Sequence, residues 1–236
     1  MKTIIHRASE RGYANHGWLN AYHSFSFAQY HDPNKVHFGL LRVLNDDTVA
    51  PGKGFGMHPH DNMEIVTIPL HGKLEHKDSM GNIGVISPNE IQAMSAGSGL
   101  MHSEYNHSKT EPVNLLQIWI FPKERNIEPR YDQRFFTDAD KNQQFKTIVA
   151  PVKSQDVMWI NQDAYFSIGK FTESQTIDYT IQHEGNGAYV FVIEGAASIN
   201  NEQLNKRDAM GISETQQFQL NIAANSEILI IDVPMS

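Results

Sequence analysis

Hydrophobic positions come in short runs separated by turn residues. Leu40–Leu44, Met63–Leu70, Leu115–Phe121, Ala188–Ile193 and Ile228–Val233 are five to eight residues long and rich in Ile and Val. That length and composition fit buried strands better than helices. Between them lie Pro51-Gly52-Lys53-Gly54, Ser79-Met80-Gly81-Asn82 and Glu184-Gly185-Asn186-Gly187, whose residues favour turns. Amphipathic helical patterns are scarce, and the short polar segment Asp138–Phe145 is the helical candidate. The pattern predicts a mainly β protein built of sandwiches or barrels.

A weak internal repeat divides the chain. Leu70-His71-Gly72 ends one apolar run and Glu194-Gly195 ends another. Superposing Gly72 on Gly195 places His60 on His183 and Ala93-Met94 close to Ala209-Met210. Two similar β units follow, with the boundary in the polar stretch Asp132–Gln144. We assign residues 1–135 to an amino-terminal unit and 136–236 to a carboxy-terminal one.

Composition narrows the chemistry. With 236 residues and 40% hydrophobic content the chain can fill a sizeable core. Its formal net charge is −8 and no block is rich in Lys or Arg, which argues against a nucleic-acid or anionic-membrane partner. There are no cysteines, so any metal must sit on nitrogen and oxygen ligands. The amino terminus MKTIIHRASERG has only a two-residue apolar run, and no stretch approaches the ~20 apolar residues that span a bilayer. A cytoplasmic location is the expectation.

Two stretches stand out against this background. His58-Pro59-His60 and His102-Ser103-Glu104 each offer two metal-ligand side chains two residues apart. In a strand, residues i and i+2 point to the same face, so two such strands act as prongs of a pincer. Three imidazoles and a carboxylate would converge on one ion. Ala96-Gly97-Ser98-Gly99, just before the second pair, supplies a bend toward the site. Glu64 shares parity with His58 and His60 and competes with Glu104 as the carboxylate. In the repeat, His58 falls on Ile181, His102 near Phe218 and Glu104 near Leu220, so the second unit is not expected to bind metal in this way.

The spacing Gly52-x5-His58-x-His60-x3-Glu64-x7-Gly72 resembles the first cupin motif, and Gly99-x2-His102-x3-Asn106 the end of the second. Gly97 stands where that motif expects proline, and a glutamate follows His102 by two positions. This variant, AGSGLMHSEYN, resembles the pirin family. So do Arg11–Leu19, His23–Phe27, Arg42–Asp47 and Gly54–His60. The remainder is similar to the carboxy-terminal unit of bacterial pirin-like quercetin dioxygenases. The resemblance implies an all-β bicupin of two consecutive β-barrel or jelly-roll domains, with metal in the first alone. It implies His58, His60, His102 and Glu104 as ligands, which leaves Glu64 as a supporting partner of the ligands or a member of a buried ion pair.

The expected cofactor is one divalent transition ion, iron first, with Ni, Co, Mn, Cu and Zn compatible with the donor set. Four protein ligands on a six-coordinate ion leave two positions open, unlike a closed structural zinc site. The implied partners are an aromatic flavonol and dioxygen, and the implied reaction opens the flavonol ring of quercetin with release of carbon monoxide. Glu104 is then the catalytic base for the substrate hydroxyl. Two alternatives stand beside this oxidoreductase reading: a metal- or redox-responsive protein-binding role without turnover, and another cupin reaction on an enol or diol. Among other residues, Phe55, Met57 and Met101 are expected to wall a cavity or pack in the core. Trp18, Phe25 and Phe27 are expected to fill a barrel, and Arg42 to bond with Asp46 and Asp47. His76 and Asp78 are expected on a solvated strand face.

Overall fold

The computed structural model describes residues Met1–Ser236. The first strands are β1 (Lys2–His6), β2 (Gly12–Asn15), β3 (Leu19–His23), β4 (Leu41–Val49), β5 (Gly54–His60) and β6 (Glu64–His71). There follow β7 (Leu74–Asp78), β8 (Ile83–Ile86), β9 (Glu90–Ser95), β10 (Leu100–Asn106), β11 (Val113–Ile120) and β12 (Arg130–Phe135). After the helix α1 (Asp138–Lys141) come β13 (Lys146–Ala150), β14 (Met158–Trp159), β15 (Tyr165–Phe171), β16 (Gln175–Thr180) and β17 (Asn186–Glu194). The last are β18 (Ala196–Ile199), β19 (Glu202–Asn205), β20 (Ala209–Ser213), β21 (Gln217–Ile222) and β22 (Ser226–Pro234). The apolar runs of the sequence became β4, β6, β11, β17 and β22.

These strands form four sheets. One seven-stranded sheet runs β12-β9-β6-β11-β4-β3-β2 and packs on the four-stranded sheet β5-β10-β7-β8. The other runs β1-β20-β17-β22-β15-β13-β14 and packs on β16-β21-β18-β19. The first strand, β1, thus pairs with β20, with Lys2 opposite Ser213.

The expectation of two β-barrel or jelly-roll domains is corrected here. The architecture is mostly β and bicupin-like, but no sheet closes on itself. Each half is an open two-sheet sandwich, because no strand ladder joins the edge strands of its two sheets. Gln133 of the edge strand β12 bonds the Val85 carbonyl of β8 through its side-chain amide, 2.9 Å, in place of a backbone ladder. At the other end, Trp18, between β2 and β3, meets Phe55 of β5 edge to face at 5.1 Å between ring centres. The predicted helix over Asp138–Phe145 is also shorter. A capping box from Thr137 to Asp140 starts α1, but Gln143 adopts φ 56°, which ends the helical path.

Apolar packing explains the layering. The largest cluster, 26 buried residues, lies between the two seven-stranded sheets and joins Leu116, Ile118 and Ile120 to Phe166, Leu229 and Ile231. The carboxy-terminal sandwich is filled by one continuous cluster of 16. The amino-terminal sandwich instead holds two separate clusters, of 7 and 4, on either side of a polar middle. Such a gap costs apolar burial worth ~1.5–3 kcal/mol per large side chain, so what fills it needs a reason beyond stability.

A buried ion group ties the halves together. Asp46 Oδ2 accepts from Arg11 at 3.2 Å and from Arg207 Nε at 3.0 Å, while Asn114 donates to Oδ1 at 2.8 Å. Arg42, expected to join Asp46 and Asp47, instead donates to the carbonyls of Ser26 and Val36. Asp46→Ala leaves two buried guanidiniums facing each other without their anion. We expect it to lower unfolding stability by ~3–5 kcal/mol, measured by urea denaturation. Retention of wild-type stability would show that the group contributes only orientation.

Candidate metal centre

The polar middle is built by strand parity. In β5, His58 and His60 share a face; in the antiparallel β10, His102 sits opposite His58. On β10 the inward positions Leu100, His102, Glu104 and Asn106 are buried and alternate with outward Met101, Ser103 and Tyr105. A bulge between His102 and Glu104 shifts the register so that Glu104 pairs with Phe55. The same irregularity presents the Gly56 carbonyl to His58 Nδ1 at 2.8 Å. With Nδ1 so occupied, the other ring nitrogen of His58 is the one free for a ligand.

The three imidazoles meet. Ring centres are 4.4 Å apart for His58 and His102, 4.8 Å for His60 and His102, and 4.9 Å for His58 and His60. Donor atoms of this trio lie within 4.8 Å of one another, as do those of His76, His102 and Glu104. His102 therefore belongs to both groups. Both of its ring nitrogens are buried without a hydrogen-bond partner. Burial, then the neighbouring His58, His60 and His76, pushes its pKa down to about 2, so the ring keeps its lone pair. Burial and His58 likewise push His60 down to about 4, with Asp61 opposing. Three imidazoles packed edge to face or tilted, with no hydrogen bond between them, are a donor set for a cation. Nitrogen and carboxylate ligands without thiolate suit a divalent ion of borderline hardness.

Glu104 is held from behind. Gln117 Nε2 donates to both carboxyl oxygens, at 2.9 and 3.2 Å, and its own Oε1 accepts from Thr67 at 2.9 Å, which fixes the amide's orientation. Burial pushes Glu104 up to about 7, with the Gln117 bond opposing. Glu64 lies elsewhere. Its Oε2 accepts from Ser95 Oγ at 2.8 Å and from the Asn161 backbone at 3.1 Å, and it joins neither donor group. It has no salt-bridge partner and contacts none of the imidazoles through a hydrogen bond.

A cavity of about 190 Å³ opens onto His58, His60 and Glu104, between Phe27, Phe55 and Trp119. Trp119 stands edge to face against both His60, at 4.9 Å, and Phe27, at 5.4 Å. Of the aromatic residues expected to fill a barrel, Phe25 is in the core, whereas Phe27 faces the cavity. Met57 and Met101, read as cavity wall or core, are neither: they point outward, 48% and 43% exposed.

The solvated face expected for His76 and Asp78 is also corrected. Both are buried, at 1% and 3% exposure, because β7 alternates inward Leu74, His76 and Asp78 with outward Glu75 and Lys77. His76 pairs across the sheet with Glu104 and stacks on Tyr131 at 4.7 Å. The signal was in the sequence: His-x-Asp has the same i, i+2 parity as the two recognised pairs. In the second unit, Ile181, Phe218 and Leu220 lie in the continuous apolar core, while His183 is exposed.

Open sheets in a bicupin-like pair, with an imidazole–carboxylate cluster in the first half, define a cupin-type protein with a candidate metal centre. The chain belongs to the pirin family. Residues 5–120 match the family description Pirin, and residues 147–233 match the Quercetinase C-terminal cupin domain. It is 41% identical over 230 residues to a quercetin 2,3-dioxygenase of Escherichia coli K12, covering 98% of both chains. It is 36% identical to a pirin-like protein of Caulobacter vibrioides, over 94% of this chain and 95% of that one. Among solved structures it resembles the bacterial pirin YhhW of Escherichia coli in complex with nickel(II), with a TM-score of 0.94, 39% identity and full coverage of both chains.

Proposed function

We propose that this protein is a metal-dependent dioxygenase that opens the flavonol ring of quercetin with dioxygen and releases carbon monoxide. The observation that carries the reading is the junction of a buried imidazole–carboxylate cluster with an aromatic-walled cavity. Similarity to quercetin 2,3-dioxygenases and to a nickel-bound pirin supports it. His58, His60, His102 and Glu104 would hold one divalent ion; iron is our first assignment, and nickel, cobalt, manganese, copper and zinc fit the same donors. When bound, the ion supplies Lewis acidity that lowers the pKa of a coordinated hydroxyl.

The residues of the chain do the rest. Phe27, Phe55 and Trp119 sandwich a planar aromatic substrate and exclude water from its reacting edge. Glu104 takes the proton of the flavonol 3-hydroxyl, its carboxyl oriented by the two hydrogen bonds from Gln117. The site's raised carboxyl pKa places the base near neutrality, where general bases work best. The test is to load purified protein separately with Fe, Ni, Co, Mn or Cu and to follow oxygen uptake and carbon monoxide release with quercetin. Matched uptake and release are expected with at least one ion. Neither signal with any ion would end this reading.

A further inference from the structure

The cavity has a second polar wall that the metal cluster does not use. On β4, Asn45 and Asp47 share the cavity face, and neighbouring strands place His23 opposite Asn45 and Ala21 opposite Asp47. Gln117 flanks Asn45 on the other side, so the wall runs from the Glu104 support outward to β3. His23 Nδ1 is 2.9 Å from Asn45 Oδ1, which satisfies that pair. Asp47 has no such partner. It is 5% exposed, lines the cavity, and its Oδ1 is buried without a hydrogen bond. The nearby guanidiniums of Arg11 and Arg207 are taken by Asp46 instead. Leu115 and Ala21, its cross-strand neighbours, offer nothing polar through their side chains.

A buried carboxyl oxygen left without a hydrogen bond destabilises the fold and calls for a partner that a bound ligand can supply. We propose that Asp47 is a specificity residue, which hydrogen-bonds a ring hydroxyl of a polyhydroxylated aromatic substrate at the β3–β4 wall of the cavity. The inference rests on the flavonol reading above and adds to it which substrates are preferred. Burial, then Asp46 and Glu104, pushes Asp47 up to about 8, so near pH 7 its carboxyl is neutral and both donates and accepts. A hydroxyl satisfies both capacities at once, whereas an unsubstituted ring leaves both empty.

Equilibrium binding to metal-loaded protein, followed by fluorescence quenching, tests this with two probes. Quercetin carries ring hydroxyls besides the 3-hydroxyl that sits next to its ring carbonyl; 3-hydroxyflavone carries only that one hydroxyl and the carbonyl. The wild-type protein is expected to bind quercetin about tenfold or more tightly than 3-hydroxyflavone. Asp47→Ala should lose about tenfold for quercetin and leave 3-hydroxyflavone within twofold, and Asp47→Asn should keep most of the preference. Metal content of each variant, equal to wild type, guards against misfolding; if Asp47→Ala does not fold, the near-isosteric Asp47→Leu takes its place and is expected to show the same loss of the ratio. If the wild type binds both probes and the ratio is unchanged in Asp47→Ala, or in Asp47→Leu standing in for it, the Asp47 assignment falls while the flavonol reading stands. If the wild type binds neither, the flavonol reading falls and takes this inference with it.

Discussion

Glu104→Gln is expected to lower flavonol turnover by ~10²–10⁴-fold, the usual contribution of a positioned general base, while the protein keeps most of its metal. The substitution is nearly isosteric. The new carbonyl oxygen still accepts from Gln117 Nε2, now bonded to Glu104 at 2.9 Å, and still offers an oxygen toward the ion. What disappears is the charge that can take a proton from a hydroxyl. Elemental analysis and quercetin turnover on the same preparation separate the two roles. Turnover near wild type in a metal-replete variant would show that Glu104 is not the base. Loss of both metal and turnover would make it a ligand first.

His102→Ala should have the larger effect on the ion itself. Of the clustered histidines it is 1% exposed, and it is the residue shared by both donor groups. Removing a partner of a ligating histidine commonly costs 10–100-fold in affinity, so losing the ligand should cost about a hundredfold or more. At an ion concentration a hundred times the wild-type Kd, binding stabilises the native protein by ~2.7 kcal/mol. The same linkage gives about 0.4 kcal/mol once Kd rises a hundredfold. Thermal melts with and without added ion read that difference directly. An unchanged metal-induced shift would remove His102 from the ligand set.

Strands and ligand pairs were legible in the sequence for a common reason: both depend on short-range periodicity. Apolar runs became β4, β6, β11, β17 and β22, and the i, i+2 pairs became the two prongs across β5 and β10. Local pattern does not report how sheets end. At the edges the two sheets meet through side-chain contacts such as Gln133 with Val85 and Trp18 with Phe55, residues far apart in the chain that carry no signature. Burial of charge was equally hidden. His76 and Asp78 look like a solvated face until the facing sheet, with Tyr131 of β12 stacked on His76, covers them, and only then does their parity acquire meaning. Arg42 lies three positions from Asn45 and near Asp46, yet the partners of Asp46 come from residues 11 and 207, which no window could join. Asp47 was missed for the same reason, since a polar residue in a strand shows its isolation only once its neighbours are known.

The pairing of β1 with β20 sets an order on synthesis. β1 is made about two hundred residues ahead of its partner, because Lys2 lies opposite Ser213. Through that interval β1 is an unpaired strand edge, the kind of surface that invites pairing with other chains. Addition of β1 to the edge of the second seven-stranded sheet is therefore a late event with a long loop to close, and the amino-terminal segment acts as a latch that can engage only after β20 exists.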